Sequence, residues 1–238
     1  MNPALSIVIP AYNEEKRLGL TLRKIIDYLN SRKIQAEIIV VDDGSSDRTA
    51  EVAHEILTEW PASKVIIQQK NKGKGAAIKE GVLKASGELI LYTDADLSTP
   101  IEEIEKFLPL TAEGYDVVIG SRALPGSAIR KRQSWIREHM GKVFNFLVRL
   151  MLIKGIKDTQ CGFKLFRREA ARKIFSQLEC RGFAFDVEVL RLAQKFGYKI
   201  AQVPVVWVNS PESKVMLFRS SIRMFLDLLK MRKATRKF

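Results

Sequence analysis

The sequence predicts an α/β fold, a mostly parallel sheet with helices on both faces. Three observations predict it. Five short apolar runs alternate with helix-period stretches over residues 5–119. The runs are almost continuously apolar, the mark of strands buried on both faces rather than one. Four of them end in polar clusters: Ala11-Tyr12-Asn13-Glu14, Asp42-Asp43-Gly44, Asp94-Ala95-Asp96 and Gly120-Ser121-Arg122. Open α/β sheets bind ligands beyond the carboxyl ends of their strands, so these clusters outline a pocket.

The elements follow in order. Residues 5–10 read as the first strand. Residues 15–32 are helical, with Leu18, Leu22, Ile25, Ile26 and Leu29 on one face. A second strand covers 37–41, and Ser45 or Ser46 is placed to cap a helix running to about residue 59. A third strand at 64–68 leads to a glycine-started helix at 73–86. The strand at 88–91 precedes the acidic pair, Pro100 opens the next helix, and 115–119 is the fifth strand.

Beyond Arg122 the character changes. A basic segment starts at Arg130-Lys131-Arg132, and 136–153 reads as an apolar helix. Residues 155–166 form a loop entering a short strand; 168–177 and 185–196 are helices. The stretch 199–208 is a strand containing Pro204, which predicts an edge position. The last helix, 217–233, has an apolar stripe of Phe218, Ile222, Phe225, Leu226 and Leu229 among arginines and lysines.

The net charge of +13 is divided unevenly: residues 1–120 carry −5 and residues 121–238 carry +18. The basic half should face something anionic: phosphate ligands, an acidic membrane surface or nucleic acid. Two cysteines are too few for a disulfide framework, which predicts a reducing compartment. No leader is read at Met1-Asn2-Pro3, and no run approaches the roughly 20 apolar residues of a membrane span.

Asp94 and Asp96 stand at i and i+2 where an apolar strand runs out. If strand geometry continued, both carboxylates would share a face and could hold one hard cation. The alternative is ordinary turn chemistry, in which Asp bonds its own backbone. A dinucleotide fold is disfavoured, because the turn after the first strand has no glycine, and no Walker A loop is present.

Taken together, Ile7 to Glu14, Val41 to Asp47, Asn71-Lys72-Gly73-Lys74-Gly75 and Asp94-Ala95-Asp96 resemble the family 2 inverting glycosyltransferases. Gly120-Ser121-Arg122, the string Asp158-Thr159-Gln160-Cys161-Gly162-Phe163-Lys164, Phe185 to Glu188, and Ser213-Lys214 resemble the polyprenyl-phosphate hexose synthases within it. The Asp158 string is most similar to the dolichyl-phosphate β-glucosyltransferases. The resemblance implies a GT-A fold, the Rossmann-like fold of nucleotide-diphospho-sugar transferases. Residues 1–211 would be the catalytic domain, including an interfacial helix at about 136–153. Residues 212–238 would be a basic amphipathic helix at a membrane surface.

It also implies roles. Asp94 and Asp96 would hold Mg²⁺ or Mn²⁺. Ser98, where the mannose synthases usually carry Gln, is a third candidate for the metal shell. Pro10, Ala11, Tyr12, Glu14, Asp42, Lys74, Asp94 and Ala95 would line the nucleotide. Arg122, Arg130, Arg132, Ser213 and Lys214 would receive the acceptor phosphate, with Arg122 and Lys214 nearest the chemistry. Asp158, Gln160, Asp186 and Glu188 would orient sugar or acceptor. The implied donor is UDP-glucose, with GDP-mannose as the alternative, and the acceptor is a polyprenyl phosphate. A saccharide or protein acceptor is the wider alternative. The implied location is peripheral, at the cytoplasmic face of a membrane, with homo-oligomerisation open.

A non-enzymatic reading also stands at this point: the +18 half as a membrane- or nucleic-acid-binding module. It leaves Asp94-Ala95-Asp96 without a purpose, and no nucleic-acid-binding motif accompanies the charge. Nucleic acid is therefore not an expected partner.

Overall fold

The computed structural model describes residues 3–131, 148, 152–208, 224 and 226–232. Its core is a seven-stranded sheet. In chain order the elements are β1 (Leu5–Ala11), α1 (Glu15–Arg32), β2 (Ala36–Asp42), α2 (Thr49–Leu57), β3 (Ser63–Ile67), α3 (Lys74–Lys84) and β4 (Leu89–Thr93). A 3₁₀ turn (Ile101–Lys106), α4 (Leu108–Ala112), β5 (Val117–Ser121), β6 (Ala128–Lys131) and β7 (Phe163–Arg167) follow. Then come α5 (Arg168–Ser176), α6 (Phe185–Lys195), β8 (Ile200–Pro204) and β9 (Val206–Val208).

The sheet order is β3-β2-β1-β4-β7-β5-β8. All neighbours pair in parallel except β7, which runs antiparallel to both β4 and β5. The short strand expected after residue 155 is thus an inserted central strand. β8 is at the sheet edge, as Pro204 predicts. The expected single strand over 199–208 instead divides at Val205: β9 leaves the main sheet and pairs with β6.

Strand alternation sends neighbouring residues to opposite faces. Val8, Ile39, Val41 and Tyr92 pack with Ile78 and Val82 of α3, Phe175 of α5 and Phe185 of α6. Ile7, Ile9, Ile38 and Val40 pack with Leu18, Leu22 and Ile25 of α1 and Ile56 of α2. Both faces are covered, which is why the strands read as unbroken apolar runs.

Ser45 and Ser46 do not cap α2, whose first residue is Thr49. They tie two turns together instead. Ser45 Oγ accepts from the Asn13 amide at 2.8 Å and donates to Asp42, while the Ser46 amide donates to Asn13 Oδ1 at 2.8 Å. Asn13 takes a positive φ of 55° to present itself, as Asn does more readily than most residues.

The helix expected at 136–153 falls on residues outside the described ones, except Val148, Leu152 and Ile153. Val148 is helical, and its carbonyl accepts from the amides of Leu152 and Ile153. Val148 and Ile153 are buried in the main core. Near the C-terminus, residue 224 and residues 226–232 are helical. Of the expected apolar stripe, Phe218, Ile222 and Phe225 lie outside the described residues; Leu226 is 51% and Leu229 36% exposed, whereas Leu228 and Met231 are buried against the core.

Candidate active site

A cavity of about 380 Å³ opens beyond the carboxyl ends of β1, β2 and β4. It is lined by Pro10, Ala11, Tyr12 and Glu14 after β1, by Asp43 after β2, and by Asp94, Ala95 and Asp96 after β4. Lys74, at the start of α3, closes one side. Seven of the expected nucleotide residues and the acidic pair are therefore brought together.

Strand geometry does not continue through the acidic pair. β4 ends at Thr93, and the Leu97 amide returns to the Asp94 carbonyl at 3.0 Å, with Leu97 at φ 47°. The two carboxylates reach the same cavity from a tight turn, so the turn reading and the ligand reading hold together. Lys74 Nζ pairs with Asp94 Oδ1 at 2.5 Å, and an Arg17 guanidinium nitrogen lies 3.8 Å from Asp96 Oδ2. Burial, and then the neighbouring Asp94, push the Asp96 carboxyl above its ordinary range. Burial alone would lower the Lys74 pKa, but Asp94, Asp186 and Asp96 outweigh it and raise it.

This donor set fits a divalent cation. Two hard oxygen ligands face one cavity, and their mutual repulsion is relieved by positive charge between them. Among the described residues no three His, Cys, Asp or Glu side chains form a self-contained cage. A cation here would complete its shell with ligand oxygens and water, the usual Mg²⁺ arrangement on nucleotide phosphates.

Several expected residues lie outside the cavity lining. Asp42 is buried, and its Oδ1 takes the Ser45 amide at 3.1 Å and the Ser45 hydroxyl. Asp43 lines the cavity instead, while its two oxygens accept the Lys72 and Gly73 amides at 2.7 and 2.8 Å. Those bonds fix the loop that starts α3. Ser98 lies behind Asp96, its amide donating to Asp96 Oδ1 at 3.0 Å. Its carbonyl accepts the Val208 amide at 2.8 Å, which ties β9 to the acidic turn.

Arg122 follows β5. Asp158 grips it at two points, Nε to Oδ2 at 2.7 Å and Nη2 to Oδ1 at 3.0 Å, and also accepts the Arg122 amide. The Trp207 ring lies under the guanidinium, 5.5 Å from centroid to carbon. Burial opposes ionisation of Asp158, but Arg122 holds its carboxyl down at about 2. Arg130 is exposed on β6. Arg132, Ser213 and Lys214 lie outside the described residues.

The last group divides. Gln160 donates its amide to Asp158 at 3.1 Å, and its buried Nε2 has no partner among the described residues. Asp186 is buried, taking the Tyr92 hydroxyl at 2.6 Å and the Lys164 ammonium. Glu188 accepts the Glu179 and Cys180 amides and so shapes the loop before α6.

Sequence reasoning missed Arg17, Asn71 and Phe183 in the lining. Asn71 opens the Asn71–Gly75 motif on which the family resemblance rests. Arg17 is three residues from Glu14, which it grips at 2.6 and 2.7 Å, so helix spacing could have found it.

A covered, mostly parallel sheet with one antiparallel insertion, and an Asp-x-Asp turn beside a nucleotide-sized cavity, define a glycosyltransferase of the GT-A type. The fold is shared with solved structures. One is mannosyl-3-phosphoglycerate synthase from Rubrobacter xylanophilus, at TM-score 0.74 and 21% identity over 99% of this chain and 75% of that one. Another is glucosyl-3-phosphoglycerate synthase from Mycobacterium tuberculosis, in complex with Mn²⁺, UDP and glucosyl-3-phosphoglycerate. It aligns at TM-score 0.70 and 22% identity, over 97% and 80%.

The chain belongs to glycosyl transferase family 2, whose model matches residues 6–175. It is 42% identical to the dolichyl-phosphate beta-glucosyltransferase of Homo sapiens, over 94% of this chain and 74% of the relative. It is 38% identical to the enzyme of the same name from Saccharomyces cerevisiae, over 97% and 74%. The non-enzymatic reading is thereby set aside.

Proposed function

We propose that this glycosyltransferase moves glucose from UDP-glucose to a dolichyl-type polyprenyl phosphate, with inversion at the anomeric carbon. The relatives' shared name supports the sugar and the acceptor. The observation that carries the reading is the divided site: carboxylates line the cavity, and the loop 158–162 that grips Arg122 through Asp158 also packs Gly162 against Asp94.

Each residue then has a task. Pro10, Ala11, Tyr12 and Asp43 surround the nucleotide, with Asp42 bracing the turn below. Lys74 faces the diphosphate. Asp94 and Asp96 are the ligands for Mg²⁺ or Mn²⁺, which when bound offsets charge on the departing diphosphate. Arg122 orients the attacking phosphate, and Arg130, Arg132, Ser213 and Lys214 extend that basic approach. Gln160 Nε2 offers a donor to a sugar hydroxyl. No general base is required, because a phosphate monoester with a second pKa near ~6 already carries its nucleophilic charge.

Among the described residues no helix is long and apolar enough to cross a membrane. Leu226 and Leu229 are exposed beside Lys230 and Arg232. This supports our reading of residues 212–238 as a segment resting on an anionic, cytoplasmic membrane face, with residues 1–211 as the catalytic domain.

The test is side-by-side incubation of labelled UDP-glucose and GDP-mannose with a short polyprenyl phosphate and Mn²⁺ or Mg²⁺. Label should enter lipid from UDP-glucose and depend on the cation. Preferential transfer from GDP-mannose would make the enzyme a mannose synthase; transfer only to saccharide or protein would remove the lipid acceptor.

A further inference from the structure

Lys164 is fully buried, and no step of the proposed reaction uses its charge. It extends from β7 beside Tyr92, its register partner on β4. Its ammonium donates to Asp186 and to the Cys161 carbonyl, the latter at 2.6 Å, and lies 5.3 Å from the centre of the Tyr92 ring. Asp186 in turn takes the Tyr92 hydroxyl. Lys164 therefore joins β7, the end of β4, the start of α6 and the loop 158–162.

That loop touches both halves of the site. At one end, Asp158 grips Arg122. At the other, Gly162 lies against Asp94 so closely that a β-carbon would overlap the carboxylate. The Cys161 carbonyl stands between them. A buried ion pair adds little to stability compared with an apolar pair of similar size, so its presence here asks for another reason.

We infer that Lys164 is a positioning residue. Through Cys161 and Asp186 it fixes the loop 158–162, and with it the placement of Arg122 relative to Asp94. This rests on the proposed transfer reaction for its kinetic consequence, and on the acidic pair for its binding consequence.

The test compares Lys164→Met with the neutral double variant K164M/D186N. The single variant leaves a buried carboxylate unpaired and should lower Tm. The double variant removes that penalty, and the carboxamide oxygen that replaces the carboxylate still accepts from Tyr92, so Tm should recover. We expect its Mn²⁺ affinity in the presence of UDP, and its transfer rate, to stay down by roughly tenfold or more, the scale seen for supports of metal ligands. Recovery of both along with Tm would overturn the inference, leaving Lys164 a structural partner only. Independently of any variant, the wild-type amides of 160–162 should exchange slowly with solvent before ligand is added. Fast exchange that slows only on binding Mn²⁺ and UDP would also overturn it. A wild-type protein that binds Mn²⁺ and UDP but transfers nothing to lipid would sink the proposed reaction and leave the binding arm intact. One that binds neither UDP nor GDP would sink both.

Discussion

Gly162 backs directly onto the Asp94 carboxylate: a β-carbon at 162 would overlap both of its oxygens. The contact joins a loop after the halfway point of the chain to the turn after β4. Gly162→Ala should therefore fold, since the Asp94 carboxylate is a partly exposed side-chain end on the cavity wall, but with that carboxylate displaced. A displacement near 1 Å is enough to cost about 100-fold in rate. Steady-state transfer with Mn²⁺, alongside a thermal melt, checks this. Unchanged rates would show that Asp94 moves aside freely.

Asp158 should dominate the acid limb of stability. Its carboxyl is held at about 2 against an ordinary 3.8. A lowered folded-state pKa stabilises above the unfolded value, and that contribution fades as pH falls from 3.8 through about 2. The gap amounts to roughly 2 kcal/mol. Asp158→Asn should lower stability at pH 7 by roughly 2–3 kcal/mol, because the largely buried Arg122 loses its partner. It should also flatten the change in Tm between about pH 5 and 2. A variant with the same acid profile as wild type would contradict this.

Lys74 competes with any metal for Asp94, since its ammonium already occupies Oδ1 at 2.5 Å. Lys74→Met should bind Mn²⁺ alone more tightly, by roughly three- to tenfold, on the scale of one charge pair in a partly exposed site. The same variant should bind UDP more weakly when metal is absent. Calorimetric titration of each ligand separately measures both; parallel losses in the two would refute the competition.

Gly75 tests the fold rather than the chemistry. A β-carbon there would meet the Cys180 carbonyl at 2.5 Å and Phe185 Cβ at 2.6 Å. The first turn of α3 packs directly on the entry to α6. Gly75→Ala should destabilise by about 1–3 kcal/mol, the range for overpacking, although alanine is the better helix former. A denaturant midpoint equal to or above wild type would show that the 180–185 segment yields.

Local patterns made much of this legible. Periodicity placed α1 at its observed limits, and polar residues at strand ends located the cavity, because both signals lie in adjacent residues. The antiparallel placement of β7 was not legible, since a five-residue strand carries no record of its neighbours. Lys164 was unreadable for the same reason: its partners Cys161, Asp186 and Tyr92 come from three segments, and only folding places them around one ammonium. The helical residues around 228 show a different limit. That helix has apolar residues on two faces, and composition alone does not say which one meets the core.

The position of β7 also bears on synthesis. β4 and β5 are both made before the strand that lies between them. A chain growing on the ribosome must leave the facing edges of β4 and β5 open until residue 167 has emerged. Such edges invite pairing with other chains, and closing them requires contacts distant in sequence, which form slowly. The strand that joins the two parts of the sheet is thus one the nascent chain waits for, with β8 still to come at the far edge of β5.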